Sequence, residues 1–342
     1  MRVTIVRFAI GVVCVTALTA MHRQREFVAS PSALSMARSV GTDSGVPAWL
    51  FPRPPAATPP VFDTLTLLHV PHTRVTFVEA RLHDLFFAPD WYPSSHPAMP
   101  DVVLHGRKPA LYACGYCHQP DGSGRPENVE IAGLPAAYIV QQVADMKSHT
   151  RVSAWTGAPW TPSDNMRKVA EAATDEEVAI AAAYFASLRP RSQTRVVEAA
   201  RIPRARAVVG IYARDDAGGT EPLANRVIEM PNDFQRHERR DPYVGYIAYV
   251  PVGSIARGRA LTSKPMNDLG QVCGSCHGPA LRGSGVIPPI AGLSPGYVVR
   301  QLLAFKAGTR ATPASVPMRS VANALSLDDM IAVAAYAATL KR

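Results

Sequence analysis

The sequence predicts a mainly α chain, with two small helical domains in tandem and an irregular, strand-bearing N-terminal extension and inter-domain segment. Three observations lead there. One pattern of residues recurs once, in register, along the chain. Each copy ends in a segment with a readable helix start. The 342 residues, 47% of them hydrophobic, suffice for two or three domains with ordinary cores.

The N-terminus reads as a targeting segment. Arg2 and Arg7 precede an uncharged run from Phe8 to Ala20. At 13 residues the run is shorter than the roughly 20 needed to span a bilayer, and it suits the apolar region of a secretory signal. Residues 1–20 are therefore expected to be a signal peptide cleaved after Ala20, with an uncleaved membrane anchor as the alternative. Cys14 lies in this run, after Val13, a poor context for a lipid acceptor. Residues 21–60 are rich in Pro and small residues and read as linker. Residues 61–99 form an N-terminal extension, with a strand near Leu65–Val70 and a short helix near Val78–Phe87.

The repeat sets the domains. Cys114-Gly-Tyr-Cys117-His118 recurs as Cys273-Gly-Ser-Cys276-His277, 159 residues on. At the same offset, Ile131–Arg151 aligns with Ile290–Arg310 without a gap, and ten of 21 positions are identical, among them Tyr138/Tyr297, Gln142/Gln301 and Arg151/Arg310. The register then slips by seven residues, and Met166–Leu188 aligns with Met318–Leu340 with ten of 23 identities. The first copy thus carries a seven-residue insertion within 152–165. Thr174-Asp-Glu-Glu177 and Ser326-Leu-Asp-Asp329 have capping-box form and open the last helix of each copy. Another amphipathic helix is expected after each Ile-Ala-Gly-Leu stretch, and a short one before each Cys pair, where His105-Gly106-Arg107 and Arg257-Gly258-Arg259 sit at comparable places. The domains are placed at 100–190 and 256–342. Residues 191–255 between them hold β-branched runs at Ala207–Tyr212 and Tyr243–Val250.

Cys-x-x-Cys-His is the attachment signature of haem c. Two thiols three positions apart can each form a thioether to a haem vinyl group, and the adjacent His can reach the iron. Met166 and Met318, 48 and 41 residues after the histidines, occupy matching places and are the candidate sixth ligands. Met146 and His149 are rivals in the first copy but align with Phe305 and Gly308. His/Met ligation leaves no open position on iron, so such a site passes single electrons. A thioredoxin-like dithiol needs a buried strand before the motif, and Lys108–Ala113 is a poor one. A zinc ribbon is disfavoured by a separation above 150 residues and by the trailing His in both copies. His72, His83, His96 and His105 show no ligand spacing.

These motifs resemble tandem class I cytochrome c domains, as in dihaem cytochromes of the c-four kind and in haem subunits of periplasmic dehydrogenases. The resemblance covers residues 100–190 and 256–342. It implies two covalent haems c, at Cys114, Cys117, His118 and Met166 and at Cys273, Cys276, His277 and Met318. It also implies a Pro whose carbonyl accepts a hydrogen bond from the axial His. Pro288 stands there in the second copy and Val129 in the first, so His118 is expected to be held less firmly. The implied function is one-electron transfer in the periplasm, from a dehydrogenase or quinol-oxidising complex to an acceptor cytochrome or oxidase. A dedicated cytochrome subunit of a periplasmic oxidoreductase is the alternative. A dihaem peroxidase is disfavoured by the two matched methionines. The net charge of +9 suits an acidic partner or an anionic membrane surface, and without interleaved aromatic and basic residues it argues against nucleic acid.

Overall fold

A computed structural model describes residues 45–55, 60–265 and 272–342. The expected signal segment, Cys14 and the greater part of the Pro-rich stretch lie outside the described residues. The last part of that stretch is not free linker. Val46, Leu50 and Phe51 are buried, packed with Trp160 of the first helical unit and Val298–Phe305 of the second.

The N-terminal extension pairs β1 (Leu67–Leu68) with β2 (Phe77–Val78), antiparallel. One helical turn, α1 (Glu79–Leu82), follows. Val70, Leu82 and Trp91 form its small core. Trp91 donates through Nε1 to the Arg239 carbonyl at 2.8 Å, which fastens the extension to the inter-unit segment.

The first unit comprises α2 (Asp101–Leu104), α3 (Cys114–His118), α4 (Ala136–Lys147), α5 (Thr161–Ala172) and α6 (Asp175–Ser187). The capping box before α6 is complete. Glu177 N–H donates to Thr174 Oγ1 at 3.2 Å, and Thr174 N–H donates to the Glu177 carboxylate at 2.8 Å. Residues 191–255 fold into strands with one short helix. β3 (Thr194–Glu198) is followed by β4 (Arg201–Pro203), β5 (Ala205–Ala207), β6 (Tyr212–Arg214), β7 (Thr220–Pro222), β8 (Ile228–Pro231), α7 (Phe234–Glu238) and β9 (Tyr246–Val250). β9 is the centre of a three-stranded sheet, parallel to β3 and antiparallel to β8. All five of its residues are buried, which is what a continuous apolar run in a central strand requires. The other β-branched run, Ala207–Tyr212, is not one strand: its first and last residues end and begin two strands, and 208–211 turn between them. Gly210 at φ 81° lets the chain reverse, so β5 and β6 pair as a hairpin.

The second unit comprises α8 (Ser254–Thr262), α9 (Cys273–His277), α10 (Pro295–Lys306), α11 (Val316–Ala324) and α12 (Leu327–Thr339). Ser326 and Asp329 form the second capping box. Here α8 crosses α12, and Gly258 sits at the crossing with no room for a Cβ beside the Ala332 carbonyl. The first unit lacks this arrangement. Its α2 is a single turn, and Gly106 lies after it at φ 62°, so Gly106 and Gly258 are not structural equivalents. The extension supplies the missing packing, with Ala88 N–H donating to the Leu104 carbonyl at 2.8 Å and Ala113 N–H to the Leu85 carbonyl at 2.9 Å. Among the described residues no single helix is long and apolar enough to cross a membrane.

Gly258→Ala is expected to force α8 off α12 and to cost about 1–3 kcal/mol, the usual range for overpacking. Thermal unfolding of the variant measures it; an unchanged midpoint would show that the helix contact is not close.

Candidate functional site

The two Cys-x-x-Cys-His motifs occupy α3 and α9 from their first residue to their last. Each helix stops because the next residue takes positive φ, 66° at Gln119 and 72° at Gly278. The chain then turns back around the histidine. Gly124 N–H donates to the His118 carbonyl at 2.9 Å, and Gly283 N–H to that of His277 at 2.6 Å. The imidazoles are held alike. His118 Nδ1 lies 2.8 Å from the Val129 carbonyl, and His277 Nδ1 lies 2.8 Å from the Pro288 carbonyl. A carbonyl can only accept, so Nδ1 carries the proton in both rings and Nε2 keeps its lone pair. Burial lowers both histidine pKa values and so favours the neutral ring. The expectation that Val129 would weaken this hold is not met, because the acceptor is the backbone carbonyl and the two bonds are equally long.

Burial pushes the Cys114 thiol up to about 12 and raises Cys117 and Cys273 as well. That is opposite to the lowered pKa of a dithiol exchange site. Among the described residues, no group of three or more His, Cys, Asp or Glu is arranged to hold a metal ion, so the Cys pairs do not meet as in a zinc ribbon.

A cavity of about 480 Å³ opens against the first motif, lined by Cys114, Cys117 and His118 together with Met166, Phe185 and apolar residues of α4. The residues around it suit a haem: two thiols, a neutral imidazole and a thioether on one largely apolar cavity. Met146 also reaches this wall. His149 does not; it is exposed, at φ 59°, with Glu171 3.7 Å away. Met166 lies within α5 and Met318 within α11, so a helix carries each sulfur. The segment that carries the insertion contributes Trp155 and Trp160 to the cavity wall. Phe51 stacks on Trp155 at 5.2 Å and meets Trp160 edge-on at 5.3 Å. In the second unit His277 is buried, Cys273 packs on Leu281, Ala291 and Ala337, and half-buried Met318 packs on the core that includes α10 and α12.

The units meet through their own repeated residues. Arg151 and Arg310 pair as an antiparallel bridge, with Val152 N–H donating to Thr309 O and Ala311 N–H to Thr150 O, both at 2.8 Å. Gln142 Oε1 accepts from Arg151 at 3.0 Å and from Arg310 at 2.6 Å. Gln301 Oε1 accepts from Arg151 and from Arg310, each at 3.1 Å. Arg151 also donates to Tyr297 Oη at 3.3 Å. The four Arg–Gln bonds read the same from either unit. Neither guanidinium has a carboxylate partner among the described residues. Arg151, Gln142, Tyr138, Tyr297 and Gln301 line the first cavity, so its inter-unit end is cationic and rich in donors.

A second buried polar cluster joins the inter-unit segment to both units. Arg300 donates to the carbonyls of Leu50 at 3.2 Å and Pro126 at 2.6 Å. Glu229 Oε2 accepts from Ser294 Oγ at 2.8 Å and from Gly296 N–H at 3.2 Å. Its Oε1 has no hydrogen-bond partner among the described residues. Burial raises the Glu229 pKa to about 7, opposed by Arg300 and by the two donors and assisted by Glu127.

No protein-family model matches the chain. It is 30% identical over 239 residues to the "Thiosulfate dehydrogenase electron acceptor" of Stutzerimonas stutzeri (strain A1501), covering 69% of this chain and 82% of that protein. It is 26% identical over 233 residues to cytochrome c4 of Azotobacter vinelandii, covering 65% of this chain and 82% of that one. Among solved structures, cytochrome c4 of Acidithiobacillus ferrooxidans aligns with TM-score 0.43 and 21% identity, covering 66% of this chain and 98% of that chain.

Glu229 yields a pH dependence of stability. Its native pKa is raised, so between about 4.5 and about 7 the folded chain keeps a proton that the unfolded chain has released. Its contribution is present in full at low pH and is lost as pH rises through this window. The unfolding midpoint of Glu229→Gln, compared with the unsubstituted chain across pH 4 to 8, should show that fall removed; parallel curves would show that Glu229 is ionised throughout.

Proposed function

The chain belongs to the cytochrome c4-like family of dihaem c-type cytochromes, and we propose that it holds one haem c in each helical unit, at residues 100–190 and 256–342. The chain is an electron-transfer protein and not by itself an enzyme. In this reading Cys114 and Cys117 carry the first haem, with His118 and Met166 as axial ligands. Cys273 and Cys276 carry the second, with His277 and Met318. The observation that supports it most is the matched hold on the two imidazoles, each to a carbonyl eleven residues on at 2.8 Å, within a Cys-x-x-Cys-His helix.

Each iron, when bound, alternates between the ferrous and ferric states and so supplies one reversible electron. The residues do the rest. The Nδ1–H bonds fix the tautomer and ring orientation that aim Nε2 at the metal. Met166 and Met318 would supply the thioether that completes each iron's ligand set and leaves no place for substrate. Trp155, Trp160 and Phe51 keep water from the first cavity. Arg151, which lines the inter-unit end of the cavity without a carboxylate partner among the described residues, would suit an anionic propionate.

Thioether attachment takes place outside the cytoplasmic membrane, so the protein works in the periplasm, with its leader cleaved or kept as an anchor. The relative in S. stutzeri is by name the electron acceptor of a dehydrogenase. Carried to this chain, the same relation makes a periplasmic dehydrogenase the donor and a cytochrome or oxidase the acceptor. The packed extension and inter-unit segment favour a second form of this reading, in which the chain is the standing haem subunit of one such enzyme.

Met318→Ala should remove about half of the weak sulfur-to-iron absorption of the oxidised protein and open one haem to carbon monoxide. Met166→Ala should do the same at the other haem, and Met146→Ala at neither. An unchanged spectrum in Met318→Ala would make that residue part of the core only. Because the insertion rebuilds the wall of the first site alone, redox titration should resolve two unequal steps. A tenfold difference in one-electron equilibrium is about 59 mV. A single wave of two equal, independent sites would contradict this.

A further inference from the structure

The two motif faces differ in a way the repeat does not foreshadow. In the first unit the residues between the cysteines are covered. Gly115 is buried, and a Cβ there would stand 2.9 Å from both Ala88 Cβ and the Val103 carbonyl. Tyr116 is only 7% exposed. The Arg240 guanidinium lies 3.5 Å above its ring and donates to its carbonyl at 2.8 Å. Arg240 also donates to the Leu82 carbonyl at 2.9 Å, so the extension and the inter-unit segment cover this face together. The loop that follows is covered too, with Arg125 donating to the His237 carbonyl of α7 at 3.0 Å.

Among the described residues, the corresponding face of the second unit is open. Ser275 is exposed, and a Cβ on Gly274 would meet nothing within 4 Å. In the loop that closes around His277, Ser284 and Gly285 are exposed and Val286 is 66% exposed. The two units as wholes differ in charge as well. Residues 100–190 hold eight Lys and Arg against ten Asp and Glu, whereas residues 256–342 hold ten against three. Arg282, in the same loop as Val286, is exposed and donates through Nε to the carbonyl of exposed Lys341 at 3.1 Å, which sets two cations at the rim. Of the unit's carboxylates, Asp328 and Asp329 lie at the start of α12 and Lys341 beyond its end, about 20 Å away along the helix. Asp329 is already paired with Arg257 at 2.6 Å. Asp268 lies outside the described residues.

We propose that this open face, formed by Gly274, Ser275, Arg282, Val286 and Lys341, is the docking surface for an acidic electron-transfer protein and the port through which the chain exchanges electrons with it. The inference rests on the two-haem reading. Small residues and one apolar side chain over the second motif allow close approach, on which electron tunnelling depends steeply. The surrounding cations steer an acidic partner, an effect that raises association rates by about 10- to 1,000-fold. The first unit, covered at its motif and carrying excess acid, then exchanges electrons by way of the inter-unit contact at Arg151 and Arg310.

Stopped-flow reduction of the oxidised full-length protein by reduced flavodoxin, an acidic one-electron donor, tests this. Ser275→Glu and Arg282→Glu should each lower the second-order rate constant about tenfold at low ionic strength, with the gap closing as salt is added. Arg189→Glu, the same charge reversal at an exposed position of the first unit, should stay within about twofold of the unsubstituted protein. Equal loss in Arg189→Glu, or no loss in the second-unit variants, would overturn the proposal. So would release of the second-unit variants from phosphatidylserine vesicles at unchanged flavodoxin rates, which would assign the face to a membrane. Haem per chain is read first by absorbance. Fewer than two haems in the unsubstituted protein would overturn the two-haem reading itself, before any rate is measured.

Discussion

Each helical unit is organised around one imidazole, buried in the second unit and half-buried in the first, whose Nδ1–H must find an acceptor. The motif helix does not supply it: the partners are the Val129 and Pro288 carbonyls. The acceptor comes from a carbonyl eleven residues on, and bringing it there dictates the intervening chain. The residue after the histidine must leave the helix with positive φ, and a later glycine must return its N–H to the histidine carbonyl. A neutral hydrogen bond contributes only about 0.5–1.5 kcal/mol net, but leaving a buried donor unpaired costs more. The constraint is therefore on conformation as much as on energy. It explains how Val129 can stand where Pro288 stands without lengthening the bond.

Symmetry is the second constraint. The positions that recur between the copies include residues that meet their counterparts in space. Gln142 and Gln301 each accept from both Arg151 and Arg310, so each side chain serves its own unit and the other. Two guanidiniums brought together without a carboxylate repel one another, and burial lowers the Arg310 pKa. Glutamine oxygens satisfy their hydrogen bonds without neutralising their charge. The inter-unit end of the first site is thereby left with unspent positive potential, the chemistry an anionic cofactor edge needs. Elsewhere Glu229 of the inter-unit segment lies in the field of Arg300 from the second unit and Glu127 from the first, and one oxygen of each carboxylate is left without a partner among the described residues.

The helices and the motifs were legible because their signals are local. Thr174 with Glu177 and Ser326 with Asp329 name their helix starts outright, and the Cys-x-x-Cys-His strings name the chemistry. Tyr138, Gln142 and Arg151 were visible as repeated residues, but nothing in a linear pattern says that repetition serves a contact between the copies. The rest was decided by tertiary packing. Val46, Leu50 and Phe51 sit among prolines and look like linker until Trp155 and Trp160 are seen beside them. Ala207–Tyr212 has strand composition on either side of Gly210, which makes its middle a turn between two strands. Gly106 and Gly258 share flanking arginine or histidine and not a role, since only the second unit builds the helix crossing that needs a glycine. The cover over Tyr116 had no signal at all, because Arg240 comes from 124 residues away.

Electron transfer by a pair of matched sites requires that both motifs be loaded, and the covalent bonds make this directly observable. Mass analysis of peptides from the denatured, proteolysed mature protein reads each motif separately. The account predicts that the peptide containing Cys114 and Cys117 and the peptide containing Cys273 and Cys276 each carry one haem through both cysteines. Either peptide recovered at its bare sequence mass, with its cysteines as thiols, would contradict it.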